Sequence, residues 1–93
     1  MATAFESIEK EKIANLLFPN KEVLNDETEI KQRFSDLNRA LSLGNLEHGK
    51  AKIYFEDNHS KKVVETTVWG LTDKRVILKQ GNVIPIYRIY KTV

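Results

Sequence analysis

The most regular pattern in the chain is an apolar stripe in its first half with the spacing of a helix. Its members lie at i, i+4, i+7 and i+11, which is one face of an α-helix: Ile30, Phe34, Leu37 and Leu41. Asp26, followed three residues later by Glu29, has capping-box spacing and predicts the start of the helix. Gly44 predicts its end, because glycine readily adopts the left-handed conformation that stops a helix. We therefore expect a helix from Asp26 to Gly44 whose stripe faces the core.

A less regular stripe precedes this one and predicts a second helix at the N-terminus. Thr3 and Glu6 again have the spacing of a capping box. Pro19 ends the segment, since a proline disfavours the helical conformation in its predecessor, Phe18. The apolar positions of this segment are Phe5, Ile8, Ile13, Leu16 and Leu17.

After a connector at residues 45–49, the period of the pattern changes from that of a helix to that of a β-strand. In the stretch 50–57 one face is apolar, with Ala51, Ile53 and Phe55. Residues 57–60 have the composition of a turn, with Asn58 and His59 as a two-residue loop. The resulting hairpin register places opposite charges and apolar groups across from each other: Glu56 with Lys61, Lys52 with Glu65, Tyr54 with Val63, and Ile53 with Val64.

The second strand of this hairpin changes the side that faces inward. Near its start the inward positions are even-numbered: Val64, Thr66 and Val68. Near its end they are odd-numbered, because a turn at residues 73–74 sets Leu71 opposite Val76 and Trp69 opposite Leu78. Such a change requires an extra residue or a sharp bend, which Gly70 accommodates. A continuous strand over 63–71 that bends in this way is how a short meander closes into a barrel.

A third strand over 76–79, a tight turn over 80–82 and a last strand over 83–90 complete the chain. Pro85 predicts that the last strand lies at an edge or a bulge. We therefore predict a single α+β domain over residues 1–93. It has a helical region (1–44) with two N-terminal helices, a connector (45–49), and a four- to five-stranded antiparallel, strongly bent, barrel-like sheet (50–93).

Residues 50–93 resemble the small β-barrels of the Sm-like and SH3-like type in their topology and spacing, which implies a barrel after the helices. A rival resemblance is carried by LTDKRVIL followed by IPIYRI, which is similar to a pattern in bacterial pleckstrin-like domains. That fold implies about seven strands and a closing helix, whereas we expect four or five strands after Gly49. The stretch VETTVWGLTDKRVILKQGNVIPIYRI is also similar to short bacterial proteins without an assigned function, so it implies no activity.

Composition narrows the compartment and the chemistry. The 93 residues contain no cysteine, which favours a reducing compartment and excludes a thiol nucleophile and cysteine-ligated zinc. The N-terminal stretch lacks the zones of a signal peptide, and the longest apolar runs are only three residues, as in Val76–Leu78. We expect a cytoplasmic protein with no membrane partner.

Candidate catalytic residues are few. His48 and His59 are the two histidines, and His59 lies near Asp57 and Ser60 in the predicted turn. This grouping could place a nucleophile beside a base, but it is also the usual composition of an exposed turn. Two histidines with scattered carboxylates match no zinc-ligand spacing, and no glycine-rich phosphate loop is present. We predict a protein that is not an enzyme and has no cofactor.

The charge is divided unevenly along the chain. Residues 1–49 carry six basic and nine acidic side chains, whereas residues 50–93 carry nine basic and four acidic ones. Basic side chains around aromatic rings on a sheet are typical of single-stranded RNA binding. The candidate RNA-binding residues are Lys50, Lys52, Tyr54, Lys61, Lys62, Lys74 and Arg75. Against this function, Lys52 and Lys61 are expected to pair with glutamates, and Trp69 is expected in the core.

Protein interaction is the function that we favour from the sequence. Two apolar helical stripes can offer more surface than one face of a small sheet covers, and the excess would need a partner. The candidate interface residues are Phe5, Ile8, Leu16 and Phe18 on the first helix. The strand over 83–90 can also present an open edge for self-association. In the alternative arrangement both helices pack on the sheet of a monomer. We therefore predict an interaction module that binds a protein partner or itself, with RNA as the alternative partner.

Overall fold

The protein is an α+β fold, in which the residues described below form one long helix and seven short strands. The computed structural model describes residues 4–93. The strands form a four-stranded sheet in the order β1-β3-β2-β7 (the first sheet) and a three-stranded sheet in the order β4-β5-β6 (the second sheet). The elements are β1 (Glu6–Ser7), a 3₁₀ helix (Lys10–Asn15), α1 (Glu27–Glu47), β2 (Ala51–Glu56), β3 (Lys61–Thr66), β4 (Val68–Leu71), β5 (Arg75–Leu78), a 3₁₀ turn (Lys79–Gly81), β6 (Val83–Pro85), a 3₁₀ turn (Ile86–Arg88) and β7 (Ile89–Thr92).

Helix α1 begins where the sequence predicts and ends later. The side chain of Asp26 accepts a hydrogen bond from the backbone N–H of Thr28, which caps the first turn. The predicted end at Gly44 is wrong, because the helix continues to Glu47 and His48 takes the left-handed conformation with φ 55°. The connector is therefore shorter than predicted, and Gly44 lies within the helix.

The buried face of α1 differs from the predicted stripe. Leu37 is fully buried as predicted, but Phe34 is 54% exposed, so its predicted place in the core is wrong. Arg33 takes the buried position instead, because its guanidinium donates to both carboxylate oxygens of Glu22 and to the backbone carbonyl of Ile89 at 2.6–2.9 Å. The buried positions of the helix are Arg33, Leu37, Ala40 and Gly44.

The predicted N-terminal α-helix is also wrong. Thr3, half of its predicted cap, lies outside the described residues, and the segment that follows forms β1 and then a 3₁₀ helix. β1 pairs in parallel with β3, and the N–H of Ile8 continues this pairing by donating to the carbonyl of Val63. The segment therefore forms backbone hydrogen bonds with β3 instead of the internal hydrogen bonds of an α-helix. Its apolar stripe is too irregular to stabilise such a helix by packing.

The first hairpin confirms the predicted register. All four predicted cross-strand pairs are present, and the inward side chains of β2 are buried. The backbone N–H of Asp57 donates to the carbonyl of Ser60, which leaves Asn58 and His59 as the loop. The alternation of apolar and polar residues thus predicted the hairpin register correctly, because both strands have one buried and one accessible face.

The predicted continuous strand over 63–71 is divided at Thr67 between the two sheets. Its even-numbered positions Val64, Thr66 and Val68 are buried as predicted, and Leu71 pairs with Val76 as predicted. However, Val68 rather than Trp69 lies opposite Leu78, and the register shifts between Val68 and Gly70. Trp69 is the extra residue of this bulge, so its predicted place in the core is wrong.

The predicted last strand is also divided. Pro85 lies on an edge strand of the second sheet, as predicted, and a 3₁₀ turn then redirects the chain so that β7 pairs with β2 in the first sheet. Six strand segments therefore follow Gly49 rather than four or five, and they form two sheets rather than one closed barrel. The predicted single barrel-like sheet is wrong, because both predicted long strands (63–71 and 83–90) cross from one sheet to the other.

The core lies between α1, the inner faces of the two sheets and the N-terminal segment. Its largest members are fully or almost fully buried: Phe55, Ile13, Leu37, Ile53, Leu78, Ile84 and Ile89. Within residues 4–93, no helix combines the length and the apolar character that a membrane crossing requires.

Candidate interaction surface

The structure does not bring the candidate RNA-binding residues onto one surface. Lys50 and Lys52 are exposed at β2 in the first sheet, with Lys52 across from Glu65 as predicted. Lys74 and Arg75 lie at the β4–β5 turn of the second sheet. The candidate set is therefore split between two sheets.

Lys62 is buried rather than presented to a ligand. Its Nζ lies 3.0 Å from Oδ2 of Asp57 and 2.7 Å from Oγ of Ser60. Oδ1 of Asp57 accepts the backbone N–H groups of His59 and Ser60, each at 2.9 Å. Burial raises the pKa of Asp57, but these two N–H groups and the Lys62 ammonium outweigh it, so the pKa of Asp57 lies below its ordinary value. The turn is organised around a satisfied carboxylate.

Aromatic rings on the outer face of the first sheet are already occupied by the chain itself. Phe5 packs edge-on against Tyr54 and Tyr90, with ring centroids 5.0 and 5.8 Å apart. Lys61 lies over Phe5 and Tyr90, and Lys91 lies over Tyr54. The Tyr54 ring is thus bracketed by a phenyl group and a cation.

Tyr90 is held in place by a hydrogen bond from its hydroxyl to the carboxylate of Glu56. Burial, followed by this hydrogen bond and the charge of Glu56, raises the pKa of Tyr90 to about 12, while Arg88 acts in the opposite direction. Arg88 itself is buried and donates to the backbone carbonyls of Lys21, Glu56 and Asp57. These contacts fix the first sheet and leave its rings little freedom to bind a base.

The outer face of the second sheet has a different character. Val76 and Leu78 of β5 are buried, so alternation turns Arg75 and Ile77 outward. Ile77 lies opposite Val83 and opposite Gly70, and Arg75 lies opposite Pro85. Trp69, immediately before Gly70, is 53% exposed, and Val83 is 40% exposed. We call this surface the Trp69 face; it comprises Trp69, Arg75, Ile77, Val83 and Pro85.

Pro85 fits the Trp69 face because of the hydrogen-bonding pattern of β5 and β6. Leu78 donates to the carbonyl of Asn82, and Ile86 donates to the carbonyl of Lys74. The intervening pair of Arg75 and Pro85 therefore lies at a site without ladder hydrogen bonds, where a missing N–H costs nothing and side chains approach closely.

Open grooves border the Trp69 face on both sides. On one side, a groove of about 510 Å³ lies between Trp69 and the end of α1. On the other side, a groove of about 440 Å³ runs between β6 and the segment that follows the first 3₁₀ helix. Two candidate interface residues, Leu16 and Phe18, line this second groove together with Val83, Pro85 and Arg75. Ile8 and Phe5, the other two candidates, pack against the core and against the first sheet.

The rim of the Trp69 face is basic. Lys74, Arg75 and Lys79 are exposed, and none of the ion pairs among residues 4–93 involves them. Lys79 lines the groove beside Trp69, and Lys74 lines a further groove of about 460 Å³ with Arg75 and Tyr87. The second sheet thus has an apolar centre with three exposed cations at its rim, beside the exposed Asp73 of the β4–β5 turn.

Sequence reasoning missed Trp69, Ile77 and Val83 as surface residues. The alternation of β5 already turned Ile77 away from Val76 and Leu78, and this signal could have been read from the sequence. Trp69 could not be placed in this way, because its exposure depends on which residue of the 68–70 stretch is the extra one.

Neither a search for metal-binding groups nor comparison with known proteins indicates a chemical activity. Residues 4–93 hold no group of three or more His, Asp or Glu side chains that could bind a metal ion. His48 ends α1 and His59 lies in the β2–β3 loop, so the two histidines belong to different elements. Comparison with known proteins gives no matching family model, and neither a curated protein nor a solved structure gives a significant match.

Proposed function

We propose that this protein is a non-enzymatic protein-interaction module that docks its partner on the Trp69 face. The observation that carries the proposal is the 53% exposure of Trp69, which directly precedes Gly70 in the cross-strand row of Gly70, Ile77 and Val83. Tryptophan and arginine are the residues most enriched among those that dominate binding energy at protein interfaces. Both occur here on the second sheet, where Trp69, Arg75 and Val83 are exposed.

The energetic argument concerns the apolar area that remains in contact with water. Removing apolar surface from water contributes roughly 25 cal/mol per Å². A tryptophan side chain can bury roughly 150–250 Å², so docking a partner on Trp69 would recover a stabilisation that folding leaves unused. Ile77 is half-buried and Val83 is 40% exposed, and both extend the same surface.

RNA binding by the first hairpin has less support. Lys62 is committed to Asp57, and the rings of Tyr54 and Tyr90 are packed by Phe5 and two lysines. Stacking of bases requires accessible ring faces. The second sheet offers Trp69 with cations around it, so RNA remains an outcome that the experiments below distinguish.

The test compares the truncation of two aromatic side chains of nearly equal exposure. Trp69→Ser removes the centre of the Trp69 face, whereas Phe34→Ser removes a ring of 54% exposure on α1. A tagged full-length chain is used to copurify a partner, and the complex is rebuilt from the two purified proteins and measured by calorimetry. We expect Trp69→Ser to weaken binding by tenfold or more, which is about 1.4 kcal/mol, and Phe34→Ser to leave it unchanged.

Self-association is measured in parallel by sedimentation velocity over a range of protein concentrations. If the partner is a second copy, the sedimentation coefficient rises with concentration for the wild type and for Phe34→Ser but not for Trp69→Ser. Equal binding by wild-type and Trp69→Ser proteins in both assays would rule out the Trp69 face as the docking surface.

A further inference from the structure

We infer that the partner of the Trp69 face is an acidic segment in which an apolar side chain lies next to a carboxylate. The apolar side chain enters the groove lined by Leu16, Phe18 and Val83, and the carboxylate binds Arg75. This inference rests on the proposed function and adds the chemistry of the partner to it.

The groove beside β6 is suited to an apolar side chain. Leu16 and Phe18 form one wall and Val83 with Pro85 the other, and its volume of about 440 Å³ is within the usual range of ligand pockets, roughly 300–1,000 Å³. Leu16 and Phe18 are only partly buried, because they pack on the core with one side and leave the other open. A leucine or phenylalanine of the partner would cover this open side.

Arg75 is placed to read a carboxylate at the rim of that groove. It lies directly opposite Pro85 and lines both this groove and the neighbouring one that contains Lys74 and Tyr87. Arg75 is exposed, its guanidinium takes part in none of the ion pairs among residues 4–93, and its hydrogen bonds with the Thr72 hydroxyl use only its backbone. By contrast, Arg33 is buried, and both terminal nitrogens of its guanidinium donate to the carboxylate of Glu22. A free guanidinium fork matches a carboxylate in a bidentate geometry.

Charge also selects against two other occupants. Docking the Trp69 face of a second copy on the same surface would bring two sets of Lys74, Arg75 and Lys79 into one interface, and like charges in an interface are unfavourable. Single-stranded nucleic acid would find the phosphate-binding cations but only one ring at the centre, since Ile77 and Val83 are aliphatic. An acidic peptide segment satisfies both the apolar centre and the basic rim.

The experiment uses random 12-residue peptides displayed on phage, selected on the full-length wild-type protein and counter-selected on Trp69→Ser. We expect the retained peptides to carry Leu, Ile or Phe within two positions of Asp or Glu. The most frequent peptide is then synthesised with its acidic residues and, as a matched control, with the corresponding amides. Because Trp69 does not line this groove, peptide affinity is measured by calorimetry, and the fluorescence of Trp69, the only tryptophan in the chain, shows whether a bound peptide also covers this ring.

Three measurements decide the inference. We expect the acidic peptide to bind about tenfold or more tightly than its amide version and to lose affinity as salt is raised. Arg75→Glu should remove this preference, and Lys52→Glu, a charge reversal on the exposed face of β2, should keep it. A 12-nucleotide oligouridine is titrated under the same conditions and is expected to leave the fluorescence of Trp69 unchanged.

The inference and the proposed function fail in different ways. Selection of neutral or basic peptides, or equal affinity for acidic and amide versions with binding still lost in Trp69→Ser, would overturn the acidic partner and leave the docking surface standing. Tighter binding of oligouridine than of the acidic peptide would overturn the inference and indicate that the partner is a single-stranded nucleic acid. A selection that enriches no Trp69-dependent peptide at all would contradict the inference, whereas the copurified partner tests the docking surface independently.

Discussion

Gly44 of α1 lies directly against the backbone of Val68 in β4. A Cβ atom built at position 44 would overlap the carbonyl oxygen of Val68 and would come 3.1 Å from Cγ2 of Thr67. The last turns of the helix therefore pack on the edge of the second sheet with no side chain between them. This close approach also places the end of α1 beside Trp69, where the two elements form one groove.

This packing predicts the effect of Gly44→Ala. Alanine is favoured over glycine in a helix by about 1 kcal/mol, but overpacking against the backbone of β4 costs about 1–3 kcal/mol and requires the helix to move. We expect a net loss of stability in urea denaturation. Ser42→Ala, at an exposed position of the same helix, should be neutral or slightly stabilising. A Gly44→Ala protein that is more stable than wild type would contradict the close packing.

The rotated buried face of α1 predicts unequal effects at Phe34 and Leu37. Phe34→Ser should change the free energy of unfolding by less than about 1 kcal/mol, because the ring is exposed and phenylalanine and serine have similar helix propensities. Leu37→Ala should cost about 2–5 kcal/mol, because Leu37 is fully buried. Thermal and urea denaturation of both variants measure the difference. Equal losses of unfolding free energy in the two variants would mean that Phe34 is buried, as the sequence predicted.

The exposure of Trp69 predicts a modest effect on stability and a clear spectroscopic signature. A tryptophan in the core would cost about 3–5 kcal/mol on truncation, whereas Trp69→Ser should cost less than about 1.5 kcal/mol. The single tryptophan of the folded protein should also be readily quenched by iodide. Protection from iodide, together with a large loss of stability, would mean that the ring is buried.

The network around Asp57 predicts a loss of stability in acid. Because the folded state holds the pKa of Asp57 below its ordinary value of 3.8, its contribution is fully present at higher pH and is lost as the pH falls through the lowered value. Asp57→Asn removes the nearer and buried carboxylate of the Lys62 ammonium and leaves it only the exposed Glu6 at 3.9 Å, which should cost about 3 kcal/mol near neutral pH.

The difference between Asp57→Asn and wild type should therefore narrow as the pH is lowered from 5 to 2. Urea midpoints at several pH values test this, with Asp73→Asn in the exposed β4–β5 turn as the control. Two parallel pH profiles for wild type and Asp57→Asn would show that the carboxylate carries no such stabilisation.

Features set by neighbours in the sequence were predictable, and features set by competition between elements were not. The register of the β2–β3 hairpin followed from alternation and from the turn at 57–60, because strand pairing across a two-residue loop leaves one consistent arrangement. The cap at Asp26 was equally local. In contrast, the N-terminal segment was assigned to a helix because its apolar residues were counted without the free edge of β3, with which β1 pairs.

The candidate site shows the same division. Leu16 and Phe18 were identified from the sequence and do line a groove. Lys62 was counted as a free cation, but it is buried and its ammonium binds the carboxylate of Asp57. The Trp69 face was not anticipated. A tryptophan surrounded by apolar neighbours in sequence is expected inside, and only the position of the bulge reverses that expectation.

The sequence by itself determined the start of α1, the β2–β3 hairpin and its register, and which faces of β2 and β5 are apolar. Each depends on residues within one or two turns or across a short loop. Only the tertiary structure decided three further features. They are the burial of Arg33 and Gly44 on the inner face of α1, the division of both long strands between two sheets, and the outward position of Trp69. Those outcomes depend on close contacts between segments far apart in the chain, where a one-residue shift exchanges the buried and the exposed side.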